Sequence, residues 1–224
     1  MIGIIVAEEK ELIAVKNIAI NIEEIKIYEK IFYKGIIKNR KVVIVKSNVG
    51  KVNSARVCQI LIDKFNPNLI INVGTAGSVD NNLEIGDVVV ANKLVQYDFD
   101  VTPFGRKLGE IENIGQYIKV DEELLNLFKN LNVTIGCIAS GDKFIVNNEE
   151  KDNIRNIFDA LCIEMEGASI AQVCYLDKVP FLVIRSITDK KDGSSKVDFE
   201  TFLESSSKNV ASILNDVIDR IILK

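Results

Sequence analysis

The segment IEMEGASIAQVC, residues 163–174, places Glu164 and Glu166 on either side of Met165 at the end of an apolar run, and small, helix-forming residues follow at once. Side chains of a strand alternate between its faces, so the two carboxylates should share one face and Met165 take the other. Charge buried there is costly unless a cleft, a ligand or a hydrogen-bond donor receives it. Acids gather at two further strand ends: Glu8, Glu9 and Glu11 follow the opening run IGIIVA, and Asp189 closes VIRSITD. The chain of 224 residues contains no histidine. Ser-His-Asp and Cys-His catalysis are thereby excluded, and no imidazole is available to a metal. An enzyme built from this sequence and working near neutral pH must move protons with carboxylates, lysines or a cofactor.

The net charge of −4 is spread over interspersed acids and bases, without the basic face that displaces counterions from nucleic acid. A small-molecule ligand is the expectation. The longest apolar stretches, such as NLIINVG and VPFLVIRSI, are strand-sized and too short to cross a bilayer. Met1 leads directly into IGIIVA with no basic region and no small-residue cleavage site, which reads as a first strand and not an export signal. A cytoplasmic location is expected on that basis. Cys58, Cys137, Cys162 and Cys174 form no CxxC pair and lie within apolar patterns, as buried free thiols do.

The elements that must position these residues alternate in type. MIGIIVA reads as a buried strand, EEKELIAVKNIA as a helix with acids in its first turn, and residues 23–46 as two or three strands with KNRK as the sharpest turn. NSARVCQILIDKF is an amphipathic helix with Pro67 just beyond its end. NLIINVG and GDVVVANKLVQYD follow as strands, then an irregular stretch from Asp98 to about Gln116, long enough to be a functional loop. DEELLNLFKNL reads as a helix, VTIGCIAS as a strand, EEKDNIRNIF as a helix, ALCIEME as a strand, GASIAQVCYL as a helix and VPFLVIRSI as a strand. A long helix from about Phe199 to Ile222 closes the chain. This alternation predicts an α/β fold, a mainly parallel sheet covered on both faces. A hydrophobic content of 47% and the absence of any linker-like segment predict one domain over residues 1–224.

Ligands of open α/β sheets bind beyond the carboxyl ends of the strands, and those ends carry small or polar residues throughout: SNVGK, GTAG (74–77), SGDKF (140–144), EME (164–166) and SITD (186–189). SNVGK lacks the second glycine and the GK[ST] ending of a P-loop, and GTAG is not GxGxxG. In order along the chain, GTAG after IINV, DVTPFG, SGDKFI, IEMEGASIAQVC and VIRSITD resemble the nucleoside phosphorylase superfamily. They resemble in particular its hydrolytic branch, the bacterial 5′-methylthioadenosine/S-adenosylhomocysteine nucleosidases. The opening IGIIVAEEKEL is similar to the family's GIIGAMEEE. The resemblance covers essentially the full length. It implies a three-layer α/β/α sandwich with a central mixed, mainly parallel sheet, and hydrolysis of the bond between adenine and a 5′-thio-substituted ribose without metal or cofactor.

Such a bond breaks through an oxocarbenium-like transition state, which asks for a better leaving group, a stabilised cationic sugar and a delivered water. The resemblance makes Asp189 the general acid that protonates purine N7, a task requiring a carboxyl that keeps its proton; read by itself, Asp189 could equally be a loop or helix-cap aspartate. It makes Glu11 the base that activates water, although by sequence alone Glu11 is a first-turn acid favoured by the helix dipole. Glu166 corresponds to the residue that takes the ribose hydroxyls, a bidentate carboxylate suiting a vicinal diol and a cationic ring. Met165 packs on the sugar and Glu164 supports that site or its water. Phe144 stacks on adenine and the Ile145 backbone bonds the purine edge, while Thr75, Ala76, Gly77 and Thr188 line the pocket. Val49, Val101 and Phe199 wall the 5′ substituent, and Phe104 reaches a neighbouring subunit's pocket, which implies a homodimer.

Four positions depart from the family pattern: Glu8 replaces methionine, Thr75 serine and Tyr97 histidine, and Arg106 stands where tyrosine is common. Thr75 keeps a hydroxyl, whereas Glu8 and Arg106 would make the 5′ pocket more polar. Two other activities compete. A phosphorylase of the same fold needs cationic donors for phosphate, which Glu11 would repel; a non-catalytic nucleoside-binding homologue would not need Glu11, Glu166 and Asp189 together. Methylthioadenosine, S-adenosylhomocysteine, 5′-deoxyadenosine and aminodeoxyfutalosine all carry the adenine and ribose these motifs address.

Overall fold

The computed structural model describes residues 1–191 and 195–221. The expected strands form, and several run further than their apolar cores suggest. The chain opens with β1 (Ile2–Val6), α1 (Glu9–Asn17), β2 (Ile20–Ile27), β3 (Lys30–Ile37), β4 (Arg40–Lys46), α2 (Lys51–Phe65) and β5 (Leu69–Ser78). It continues through β6 (Val88–Gln96), β7 (Ile118–Lys119), α3 (Glu122–Leu125), β8 (Thr134–Ser140), α4 (Asn148–Phe158), β9 (Ala160–Glu164), α5 (Gly167–Asp177), β10 (Phe181–Asp189) and α6 (Ser195–Val217).

Burial follows sequence pattern. All five residues of β1 and all nine of β10 are buried, as continuous apolar runs demand of strands covered on both faces. The charged β2, INIEEIKI, is almost wholly exposed and forms one edge of the sheet, where charge discourages further pairing. In α2 the buried positions Ser54, Val57, Cys58 and Leu61 fall at helical spacing. This helix packs on α5, and α1 packs on α6, giving two helical layers around the sheet.

The sheet is mixed. β4, β1, β5 and β10 run parallel, as do β6, β8 and β9, whereas β2, β3 and β4 form an antiparallel meander. β5 has three partners: β1 along its first residues, β10 along most of its length, and β9 at Gly77 and Ser78. Because β10 also pairs with β6, the strands β5, β10, β6, β8 and β9 close into a ring. Strand-by-strand reading predicts an open layer and does not reveal that closure.

Two helices differ from expectation. Residues 121–131 form only the single turn of α3 followed by a 3₁₀ turn, Asn126–Phe128. Asn126, a poor interior helix residue, stands where the helix tightens. The last helix starts at Ser195, a turn before Phe199, and passes into a 3₁₀ turn at Ile218–Arg220; Ile222, its expected end, lies outside the described residues.

Candidate active site

The carboxyl ends of β1, β5, β9 and β10 and the loop after β4 converge on one cleft of about 270 Å³. Glu11, Glu166 and Asp189, 178 residues apart in sequence at the extremes, all line it, and all three are buried.

Glu11 enters from the first turn of α1 and is held by four donors. Its Oε2 accepts from the Ala7 and Glu8 backbone N–H groups at 2.9 and 3.0 Å; its Oε1 accepts from Thr75 N–H at 2.9 Å and Thr75 Oγ1 at 3.1 Å. Burial nevertheless prevails over these bonds and the Arg185 charge, and raises the Glu11 pKa above the ordinary carboxylate value. Such a carboxylate is rigidly aimed and more basic than a free one. Gly74 allows this approach: a Cβ there would meet Glu11 Oε1 at 3.0 Å.

Glu164 and Glu166 have different surroundings. Glu164 pairs with the buried Arg185, takes the Ser140 hydroxyl, and accepts from the Glu166 and Gly167 N–H groups at 3.0 and 2.7 Å. Arg185 is anchored in turn on Asn72, whose Nδ2 donates to the Ile5 carbonyl at 2.9 Å. Desolvating two ions costs several kcal/mol each, so a fully buried pair must be closely compensated; Glu164 is, and it serves as a fixed brace. Glu166, at the start of α5, accepts one bond, from Gly50 N–H at 2.9 Å, and its other oxygen makes none among the described residues. Burial, then repulsion by Glu164, pushes its pKa up to about 8. Burial and Glu164 thus oppose an ionised Glu166, and a cationic ring beside it would favour one. The expected alternation also stops early: β9 ends at Glu164, and Met165 lines the same cleft as both carboxylates.

Asp189 ends β10 beneath Gly77, where a Cβ would come within 2.8 Å of its Oδ2. Thr188 Oγ1 lies 3.1 Å from Asp189 Oδ1, and the buried Lys151 of α4 places Nζ 3.3 Å from Oδ2. Apolar walls complete the site. Phe144 and Phe199 meet edge to face with ring centroids 5.7 Å apart, Phe144 being 43% exposed and so open to a ligand. Val49, Thr75, Ala76 and Thr188 also line the cleft, and Ile145 lines an adjoining recess shared with Gly77, Phe144 and Asp189.

A match to the family model described as the phosphorylase superfamily runs over residues 1–219. The chain is 40% identical to the 5′-methylthioadenosine/S-adenosylhomocysteine nucleosidase of Staphylococcus haemolyticus, covering 97% of this chain and 99% of the relative. The chain belongs to the phosphorylase superfamily, on its methylthioadenosine/S-adenosylhomocysteine nucleosidase branch. Its structure is similar to that of the Helicobacter pylori nucleosidase of the same name, solved with a pyrrolidine inhibitor, at TM-score 0.94 and 34% identity over 98% of each chain. A futalosine hydrolase from the same organism matches equally well, at TM-score 0.94 and 34% identity over 98% of this chain and 97% of its own.

Four residues singled out in the sequence of this superfamily member, Val101, Phe104, Arg106 and Tyr97, do not line the cleft. Val101, expected in the wall, is not among the residues that line the cavity; it lies with Phe104 in the loop after β6. Phe104 is 86% exposed. Arg106 pairs with Glu110 at 3.2 Å and Glu112 at 3.5 Å and adds no charge to the cleft. Tyr97 instead packs under Gly141, its hydroxyl donating to the Lys143 carbonyl at 3.3 Å, and so supports the segment bearing Phe144. Glu8 caps α1 and does line the cleft. Arg185 and Lys151 were missed as site residues. A lone arginine inside the apolar run VPFLVIRSI was the available signal for the first, since such a charge needs a buried acid; Lys151 sits in a polar helix and offered none.

Proposed function

We propose that this chain hydrolyses the N-glycosidic bond of 5′-methylthioadenosine and S-adenosylhomocysteine, releasing adenine and the 5′-thio-ribose. The observation that carries the reading is the meeting of Glu11, Glu166 and Asp189 in one partly apolar cleft. Asp189 delivers a proton to purine N7, which draws electrons from N9 and eases its departure. Glu166 takes the ribose 2′ and 3′ hydroxyls with its open oxygen, and its charge favours the cationic ring as C1′–N9 lengthens. Glu11 accepts a proton from the water that attacks C1′. Phe144, against Phe199, stacks on the base; the Ile145 backbone bonds the purine edge; Met165 packs on the sugar; Thr75, Ala76, Gly77 and Thr188 close the pocket; and Val49 and Phe199 face the 5′ substituent. Exposed Phe104 reaches the pocket of a second subunit in a homodimer.

Water is favoured over phosphate on electrostatic grounds. Among the described residues the cleft is lined by no lysine or arginine, and Arg185, behind it, is engaged by Glu164. An incoming phosphate would meet the carboxyl groups of Glu11, Glu164 and Glu166 and find no cationic donor among the described lining residues. Adenine release from methylthioadenosine is therefore expected to be indifferent to added phosphate, with a free sugar as co-product; a sugar 1-phosphate would overturn the choice. Running the same assay with S-adenosylhomocysteine, 5′-deoxyadenosine and aminodeoxyfutalosine ranks the 5′ substituents. A cytoplasmic location belongs to the same proposal. It is supported by four buried free cysteines, two of them, Cys58 and Cys174, joined by a thiol–thiol hydrogen bond at 3.7 Å and not by a disulfide. Among the described residues no helix is long and apolar enough to cross a membrane.

A further inference from the structure

Lys151 has no part in the reaction as described so far, yet its placement is unfavourable unless it serves one. Its side chain is 0% exposed. It lies four residues into α4, beside the first-turn acids Glu149 and Glu150, at the helix end where the dipole disfavours a cation. Three of its surroundings are fixed by geometry. Nζ stands 3.3 Å from Asp189 Oδ2, donates to the Lys190 carbonyl at 3.0 Å, and lies on a side chain fully buried from water. The ammonium thus touches the carboxyl assigned as general acid on the oxygen facing away from Thr188.

An ordinary aspartate holds its proton only to about pH 4, whereas an ordinary lysine holds one to about pH 10. An aspartate alone is a poor proton source for a reaction near neutral pH. Two groups in hydrogen-bond contact inside a dry site titrate as a unit, with the proton shared between ammonium–carboxylate and amine–carboxylic acid forms. We propose that Lys151 is a positioning residue that acts through Asp189, holding the proton which Asp189 passes to purine N7. This inference rests on the nucleosidase reading above.

The step balances. Lys151 passes its proton to Asp189, which delivers it to N7 as the C1′–N9 electron pair goes to N9, leaving a carboxylate beside a neutral amine. Water adds its hydroxide to C1′ and its proton to Glu11. After the products leave, Glu11 releases that proton to solvent and Lys151 takes one up. Among the described residues, other charged groups near the pair have partners of their own. Lys190 pairs with Glu84 at 2.8 Å, Lys191 pairs with Asp152, and Glu164 with Arg185. The Cys162 thiol of β9, pushed up by burial, stays neutral beside them, and Glu166 and Glu11 lie across the cleft.

The test is the pH profile of kcat/KM for adenine release from methylthioadenosine by the full chain carrying Lys151→Met or, in case the apolar variant folds poorly, Lys151→Gln. The alkaline limb is expected to move to lower pH by more than about one unit in either variant, so that activity falls about 30-fold or more at pH 8 and less than about tenfold at pH 5.5. Hydrolysis of p-nitrophenyl riboside, whose leaving group requires no proton at a purine nitrogen, is expected to stay within about threefold of wild type. An alkaline limb that stays put or moves upward would overturn the role of Lys151, as would equal losses on both substrates. A wild-type chain that releases no adenine from any of the nucleosides would overturn the nucleosidase reading as well, which separates the two failures.

Discussion

Asp189→Asn is expected to lower kcat for adenine release from methylthioadenosine about 10³-fold, with KM changed only a few-fold. The amide keeps the shape of the carboxyl. It can turn its oxygen to Lys151 and offer an N–H to purine N7, so the base still binds. What it lacks is a transferable proton, so adenine must depart as a poor leaving group. A 10³-fold loss corresponds to about 4 kcal/mol of transition-state stabilisation, in the range general acid catalysis supplies. Single-turnover adenine release alongside equilibrium binding of adenine separates the two effects. Turnover near that of wild type would mean that the proton comes from another group, and retained chemistry with lost binding would mean that Asp189 is a contact and not an acid.

Glu11→Ala is expected to cost a similar factor, about 10³ in kcat, for a different reason. The water at C1′ then has no base, while protonation of the purine continues unimpaired. The alanine also leaves space, and it frees the Ala7, Glu8 and Thr75 donors that the carboxylate had occupied. Those N–H groups line a vacancy that suits a small anion. Azide needs no deprotonation and fits the volume of a lost carboxylate, so it should restore part of the adenine release and yield a glycosyl azide. Glutamine is a poorer probe here: each oxygen of Glu11 faces only donors, so an amide NH₂ on either side would oppose an N–H, at a cost of about 1–3 kcal/mol in stability. Failure of azide to accelerate Glu11→Ala, with adenine binding intact, would show that Glu11 does not stand at the attacking position.

Both residues, and Glu166 with them, could be placed at the cleft from sequence because each lies at or just beyond the end of a strand where an apolar run stops, and because the segments around them follow one another in a familiar order. The covered strands β1, β5 and β10 were legible for the same reason: IGIIV, LIINV and FLVIRSI have no polar face. What was not legible depends on pairings between distant strands. Arg185 reaches Glu164 and Asn72 because β10 lies beside β5 with Arg185 opposite Gly74, a register no local pattern encodes. Lys151 meets Asp189 across the seam between α4 and β10, 38 residues apart in the chain. The upward push on the Glu166 pKa was likewise invisible, since sequence displays a carboxylate but not its burial or the neighbouring Glu164. The placing of Val101 in the wall treated the loop after β6 as part of its own cleft, whereas Val101 is not among the residues lining that cavity.

The most direct measurement is a crystal structure of the Asp189→Asn chain with methylthioadenosine bound. Purine N7 should lie within hydrogen-bond distance of the residue 189 side chain, both ribose hydroxyls on Glu166, and a water between Glu11 and C1′. A nucleoside seated with N7 turned away from residue 189, or with its ribose out of reach of Glu166, would contradict catalysis by these three acids.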